Sequence, residues 1–170
     1  MVFAYYNRLN KKQKSVYRQS DNVTAIQLPA TTTLQPLVLD LVTSLEQQDK
    51  AGTQTVCQRL ANVITDSLEV RALKIKVMAV RPCDDEEELH GFYLPTEGRK
   101  MPLITVWMRT AKRKQVVAFR TFLRTLLHEI CHHLDYELLC LEESWHTEGF
   151  YKRESSLFYQ LVPILEKETG

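Results

Sequence analysis

No two cysteines in this chain stand two residues apart, so the paired-cysteine signature of a zinc ribbon is missing. The four present, Cys57, Cys83, Cys131 and Cys140, fall in predicted helices or a turn, and the expectation is reduced thiols in an intracellular protein. Charge of one sign is missing too. The formal net charge is +1, which gives no strong pull toward nucleic acid or a membrane surface. No apolar run approaches the roughly 18 residues that a bilayer-crossing helix needs, and 1–9 lacks the basic start and apolar stretch of a secretory signal. The expected location is cytoplasmic. Internal repeats and low-complexity tracts are also lacking. What remains is 170 residues at 44% hydrophobic content, enough for one globular domain over 1–170 with a sizeable core.

One pentapeptide stands out from this background: His128-Glu129-Ile130-Cys131-His132, an H-E-x-x-H sequence. At about 100° per residue the two histidines lie within roughly 40° of each other on a helix, while Glu129 is offset by about 100°. That geometry lets both imidazoles hold one metal ion and leaves the carboxylate beside it as a general base. Phe119, Leu123, Leu126, Leu127, Ile130 and Leu134 gather on the flank opposite His128, which makes that flank core and turns the histidines toward a cleft.

A catalytic zinc site usually takes three protein ligands and leaves a fourth position for water. His146 is the preferred third ligand. It follows Ser144 and Trp145 in a turn-like segment and precedes a second helical pattern, Phe150, Leu157, Phe158, Leu161, Val162 and Leu165. Glu148 is the rival, because some zinc peptidases use a glutamate on a second helix; an acidic residue in a helix's first turn already has an explanation in the helix dipole. Glu142, Glu143 and Glu154 are weaker options. Asp135 lies within about 20° of His128's direction, where it could accept an imidazole N–H from behind the metal. Cys131 reads as a partly buried inert thiol and His133 as a surface or packing residue.

From Leu127 through Tyr151 the segment resembles the SprT-like zinc metallopeptidases. Their pattern is H-E-x-x-H, a gap of about thirteen or fourteen residues, then a third histidine followed four residues later by an aromatic. Here His146-Thr147-Glu148-Gly149-Phe150 supplies the histidine and the aromatic, with Thr147 where that family commonly has glycine. The resemblance implies an α+β, compact zincin-like fold, similar in outline to the minigluzincins: N-terminal helices, a small sheet of three strands or more, the H-E-x-x-H helix and a C-terminal helix.

The sequence supports that order independently. Leu37, Val38, Leu41, Val42 and Leu45 form one helical stripe, and Val56, Leu60, Val63, Ile64 and Leu68 another, with a break at Ala51-Gly52. Asn10 and Gln13 predict a capping box for a short basic helix over Lys11 to Gln19, within an N-terminal arm spanning 1–33 that precedes a core over 34–170. Ser20 to Pro36 reads as an irregular connection, given Pro29 and the Thr31-Thr32-Thr33 run. Leu73, Ile75, Val77 and Ala79 alternate with Lys74, Lys76 and Met78, as a half-buried strand should. His90 to Leu94 and Leu103 to Arg109 read as further strands, joined by a turn at Glu97-Gly98-Arg99-Lys100. By the resemblance, Leu103 to Arg109 would be the edge that pairs with an extended peptide substrate, through Ile104, Thr105, Val106 and Trp107.

Three neutral histidines would leave one Zn²⁺ per chain with its full charge, able to lower the pKa of a bound water toward about 7. Glu129 would take that water's proton and pass it to the leaving amine, and Tyr151, Tyr136 and Arg153 are candidate donors to the oxyanion. Asp84-Asp85-Glu86-Glu87-Glu88 reads as a solvated turn. Arg109, Lys112, Arg113 and Lys114 form a basic cluster, read as a solvated loop with contact to an acidic substrate or to nucleic acid as the alternative. Two other classes stay open. Peptide deformylases also carry H-E-x-x-H but take a cysteine ligand in a glycine-containing setting, which Pro82-Cys83-Asp84 lacks; a zinc-binding interaction module would have no need of Glu129.

Overall fold

The computed structural model describes residues 2–82, 89–96, 98 and 100–162. The expectations placed on Cys83, on Asp84–Glu88 and on Leu165 lie outside the described residues, as do Glu97 and Arg99 of the turn between the strands. A 3-10 helix at Ala4–Arg8 leads into α1 (Lys11–Asn22), α2 (Thr31–Glu46), α3 (Lys50–Ser67), β1 (Lys74–Val80), β2 (Gly91–Leu94), β3 (Leu103–Arg109), α4 (Phe119–Glu137) and α5 (Glu148–Leu161). The architecture is α+β, with the helix that carries His128 and His132 followed by a C-terminal helix. No helix among the described residues is long and apolar enough to cross a membrane.

Local capping chemistry starts α1 as its sequence predicts. The Asn10 side chain accepts from the Gln13 backbone N–H at 2.8 Å, and the Gln13 side chain accepts from the Asn10 N–H at 3.0 Å. Between α1 and β1, two boundaries differ from the sequence reading. The stretch expected to be irregular to Pro36 instead becomes α2 from Thr31, whose first turn closes on the Ala30 carbonyl through the Thr33 and Leu34 amides, both at 3.0 Å. Pro36 sits inside the helix, and burial of Leu34, Leu37, Val38 and Leu41 outweighs its missing donor. The break before α3 falls at 47–49 rather than at Ala51-Gly52, because Asp49 caps the helix by accepting from the Gly52 amide at 3.0 Å.

The sheet has strand order β1-β3-β2, with β1 parallel and β2 antiparallel to β3. This corrects the expectation for Leu103 to Arg109: Ile104, Thr105, Val106 and Trp107 belong to the central strand and not to an edge. Thr105 pairs with Lys76 on one side and Phe92 on the other. Past the end of β2, Val117 donates to the Met108 carbonyl at 2.7 Å, so that flank of β3 is covered as well. Leu73, Ile75 and Val77 face the core as predicted, whereas Ala79 is exposed.

The outer edge of β1 is sealed by two glutamines one turn apart on α3. Gln58 donates to the Leu73 carbonyl and accepts from the Ile75 amide at 3.0 and 2.8 Å; Gln54 does the same for Ile75 and Val77 at 2.8 and 2.7 Å. These amides satisfy the backbone groups that an open edge would present to other chains. Among the described residues, the sheet edge without a strand partner is that of β2, beside α4.

Helix α4 is buried on most of its circumference, with the sheet on one side and α5 on another. Helix α5 in turn meets the end of α1 closely. The Gly149 amide donates to Asp21 Oδ1 at 2.9 Å, and a Cβ on Gly149 would lie 2.5 Å from the Asp21 carbonyl oxygen. Because the obstacle is backbone, Gly149→Ala is expected to destabilise the fold by about 1–3 kcal/mol. Urea unfolding reads this directly, and an unchanged midpoint would contradict the packing described.

Candidate metal centre

His128 and His132 occupy successive turns of α4, and His146 comes from the loop just before α5. Their Nε2 atoms converge. His146 Nε2 lies 3.1 Å from His128 Nε2 and 3.0 Å from His132 Nε2, and the ligand atoms of all three residues fall within 4.8 Å of one another. Three nitrogens each about 2.0–2.1 Å from a tetrahedral ion stand about 3.3 Å apart, so the spacing fits a single small cation.

Two of the imidazoles are held from behind through Nδ1, and the third histidine through its backbone carbonyl. His132 Nδ1 lies 2.7 Å from Ser144 Oγ, which donates to Asp135 Oδ2 at 2.7 Å. With the serine proton committed to the carboxylate, His132 Nδ1–H is the donor and Nε2 presents its lone pair to the centre. Asp135 thus acts through Ser144 and makes no direct bond to an imidazole, a correction to the role read from helical spacing. His128 Nδ1 faces Glu154 Oε1 at 3.5 Å, so Glu154 backs a histidine rather than joining the ligand set. The His146 carbonyl accepts from the Tyr5 hydroxyl at 2.7 Å, while the Tyr5 ring stacks on Trp145. Thr147, at the position where the resemblance expects glycine, caps α5 by accepting from the Phe150 amide at 2.9 Å. Beneath all three imidazoles lies the buried ring of Phe150, with centroid separations of 4.9, 4.8 and 5.1 Å to His128, His132 and His146.

This surrounding keeps His132 and His146 in their ligating form. Burial, followed by the charges of His128 and His146, pulls the His132 pKa down to about 3, and burial with His128 lowers that of His146. Glu129 responds in the opposite sense. Its side chain is buried, and burial pushes its carboxyl up to about 7 against the pull of His128. Gly91, at the start of β2, leaves the space it occupies: a Cβ there would lie 2.9 Å from Glu129 Oε1.

A cavity of about 700 Å³ opens over the triad, lined by Glu129, the three histidines, Tyr93 and Tyr136 among others. Tyr93 went unnoticed in the sequence; it stacks on His132 and Tyr136 at 6.4 and 6.2 Å, and its hydroxyl lies 3.0 Å from His133 Nδ1. His133 is buried and donates through Nε2 to the Arg71 carbonyl at 2.6 Å, a packing residue as expected. Cys131 is buried, and burial pushes its thiol up, as suits an inert side chain.

Other site expectations do not fit. Glu148 turns toward Lys152 at 3.1 Å and Glu142 toward Lys12 at 3.0 Å, so neither joins the histidines. Arg153 is no oxyanion donor: it is fully buried, bound to Asp135 Oδ1 at 2.9 Å and to the backbone of Ser20 and Val23. Of the two tyrosines, Tyr136 lines the cavity, and Tyr151 is exposed with its ring 5.8 Å from that of His146. The basic cluster is remote from the cavity lining; Arg109 bonds the Lys114 carbonyl at 3.0 Å and Gln48 at 2.5 Å.

The shifts set the pH response of the metal-free protein. His132 and His146 have folded pKa values below the unfolded 6.5, so their contribution is complete above pH 6.5 and is lost as pH falls. Glu129, raised from 4.5 to about 7, carries a penalty that builds between those two values as pH rises. In EDTA, Glu129→Gln should therefore exceed the wild type in stability by about 2–3 kcal/mol at pH 8 and match it near pH 4.5. Equal urea midpoints at pH 8 would remove the claim that this carboxylate is strained. No protein-family model, no curated protein and no solved structure matches this chain.

Proposed function

We propose that this chain is a zinc-dependent metallopeptidase. The observation that carries the proposal is the convergence of three imidazole Nε2 atoms beside the buried carboxyl of Glu129 in one open cavity. His128, His132 and His146 would hold the ion, which supplies a Lewis acid for the carbonyl and acidifies water. Glu129, buried beside the three histidines, accepts a proton from the attacking water and returns it to the departing amine. Tyr136 lines the cavity and presents a donor to developing negative charge; Tyr93 holds the His132 ring in place by stacking. The outer edge of β2, which has no strand partner among the described residues, would offer backbone groups to an extended peptide alongside the cavity, a role assigned by resemblance to β3 and proposed here for β2.

The likeness to SprT-like and minigluzincin peptidases belongs to this proposal. Among the described residues the ligand set is three histidines with no cysteine, which runs against the deformylase alternative, and a purely structural site would have no use for a buried Glu129. Protein of near-zero net charge gives no support to nucleic acid as a partner. The proposal is tested by offering zinc-loaded protein unfolded casein and a formyl-methionine peptide in parallel. Casein cleavage that a chelator abolishes and zinc restores is the expected result. Formate release alone would assign the deformylase class, and inactivity on both would leave a binding module.

A further inference from the structure

Arg124 stands one helical turn before His128 on α4, and it is the one lysine or arginine among the described residues that line the cavity. Its guanidinium is held by aromatic rings. Cζ lies 4.2 Å from the Phe158 ring centre and 5.6 Å from that of Tyr159. No carboxylate among the described residues pairs with it. The two acids in the cavity wall are placed elsewhere: Glu154 faces His128 Nδ1 at 3.5 Å, and Glu129 lies against Gly91. Stacking orients the plane of a guanidinium and restricts its motion, yet leaves its N–H fork open to a carboxylate.

One turn of helix is about 5.4 Å, and an extended peptide advances about 3.3 Å per residue. A carboxylate on Arg124 therefore lies one or two residues from a carbonyl placed at the histidines. We propose that Arg124 forms an anionic subsite of this cavity, one that takes a peptide carboxylate next to the cleaved bond. The carboxylate is carried by an acidic side chain or by the C-terminus of a short peptide. This rests on the peptidase reading and names its substrate class. The cluster around Arg109 has no part in it, since none of its members lines the cavity.

Binding is measured on zinc-loaded Glu129→Gln protein, so that no turnover interferes, by anisotropy of four dansyl peptides. Two form a glutamate and glutamine pair with amidated ends, and two are tetra-alanines with free and amidated C-termini. At least one carboxylate peptide should bind about tenfold tighter than its neutral partner at low salt, and that ratio should shrink as salt rises. Adding Arg124→Gln should bring the ratio to near one, Arg124→Lys should keep part of it, and Lys112→Gln should leave it intact. The pair that shows the ratio identifies the source of the carboxylate. Circular dichroism and zinc content confirm that each variant is folded and loaded. A ratio of one in both pairs, a ratio that survives Arg124→Gln, or no binding by any peptide overturns the subsite. Arg124-dependent binding without cleavage of any of these peptides by the wild type supports the subsite and counts against the peptidase reading alone.

Discussion

Glu129→Gln is expected to lower peptide hydrolysis by at least about a hundredfold while zinc content stays at one per chain. The amide keeps the shape of the carboxyl and its place against Gly91, but it has no basic site for the proton of the attacking water. Loss of metal is not expected, because Glu129 lies outside the three-nitrogen set. Kinetics and metal analysis on the same preparation separate the outcomes. Unchanged cleavage would place the activity elsewhere, and lost zinc would make Glu129 a ligand. The gain in metal-free stability predicted for this variant at pH 8 is a third, independent reading of the same strained group.

His146→Ala should release zinc and abolish hydrolysis, whereas Glu148→Ala should retain both. Two nitrogens one turn apart on α4 cannot complete a site that takes three protein ligands, and no other histidine, cysteine or acid among the described residues joins them. Glu148 is turned toward Lys152 on the outer face of α5. Titration against a chromophoric chelator should show the His146 variant weakened by a hundredfold or more, with Glu148→Ala within about threefold of the wild type. The reverse order would mean that the site takes a glutamate.

Much of this centre was legible because its signals are local. Two histidines and a glutamate within five residues need only helical periodicity to be placed, and His146 follows from its position just ahead of a helix start. The Asn10 cap and the bounds of β3 were also readable, one from side-chain chemistry three residues apart and the other from a run of β-formers. The groups that hold the histidines were not. Ser144 bridging Asp135 to His132, Glu154 behind His128, and Tyr5 reaching His146 across 141 positions of sequence are tertiary contacts with no periodic trace.

The misreadings have the same origin. Arg153 looked like a cleft residue by its place near His146, yet it fills the buried junction of α1, α4 and α5. The edge role of β3 comes from the resemblance alone, since strand order is set by which partners pair with a strand's two sides and a linear pattern carries only which residues are apolar. Helix α2 overrode a threonine run and a proline through the apolar face that follows them.

Diffraction on either side of the zinc absorption edge, from crystals of zinc-loaded protein, tests the central claim most directly. One anomalous peak per chain is expected, about 2.0–2.1 Å from the Nε2 atoms of His128, His132 and His146. A peak bound through Glu148 or a cysteine, or no peak at the three histidines, would contradict that claim.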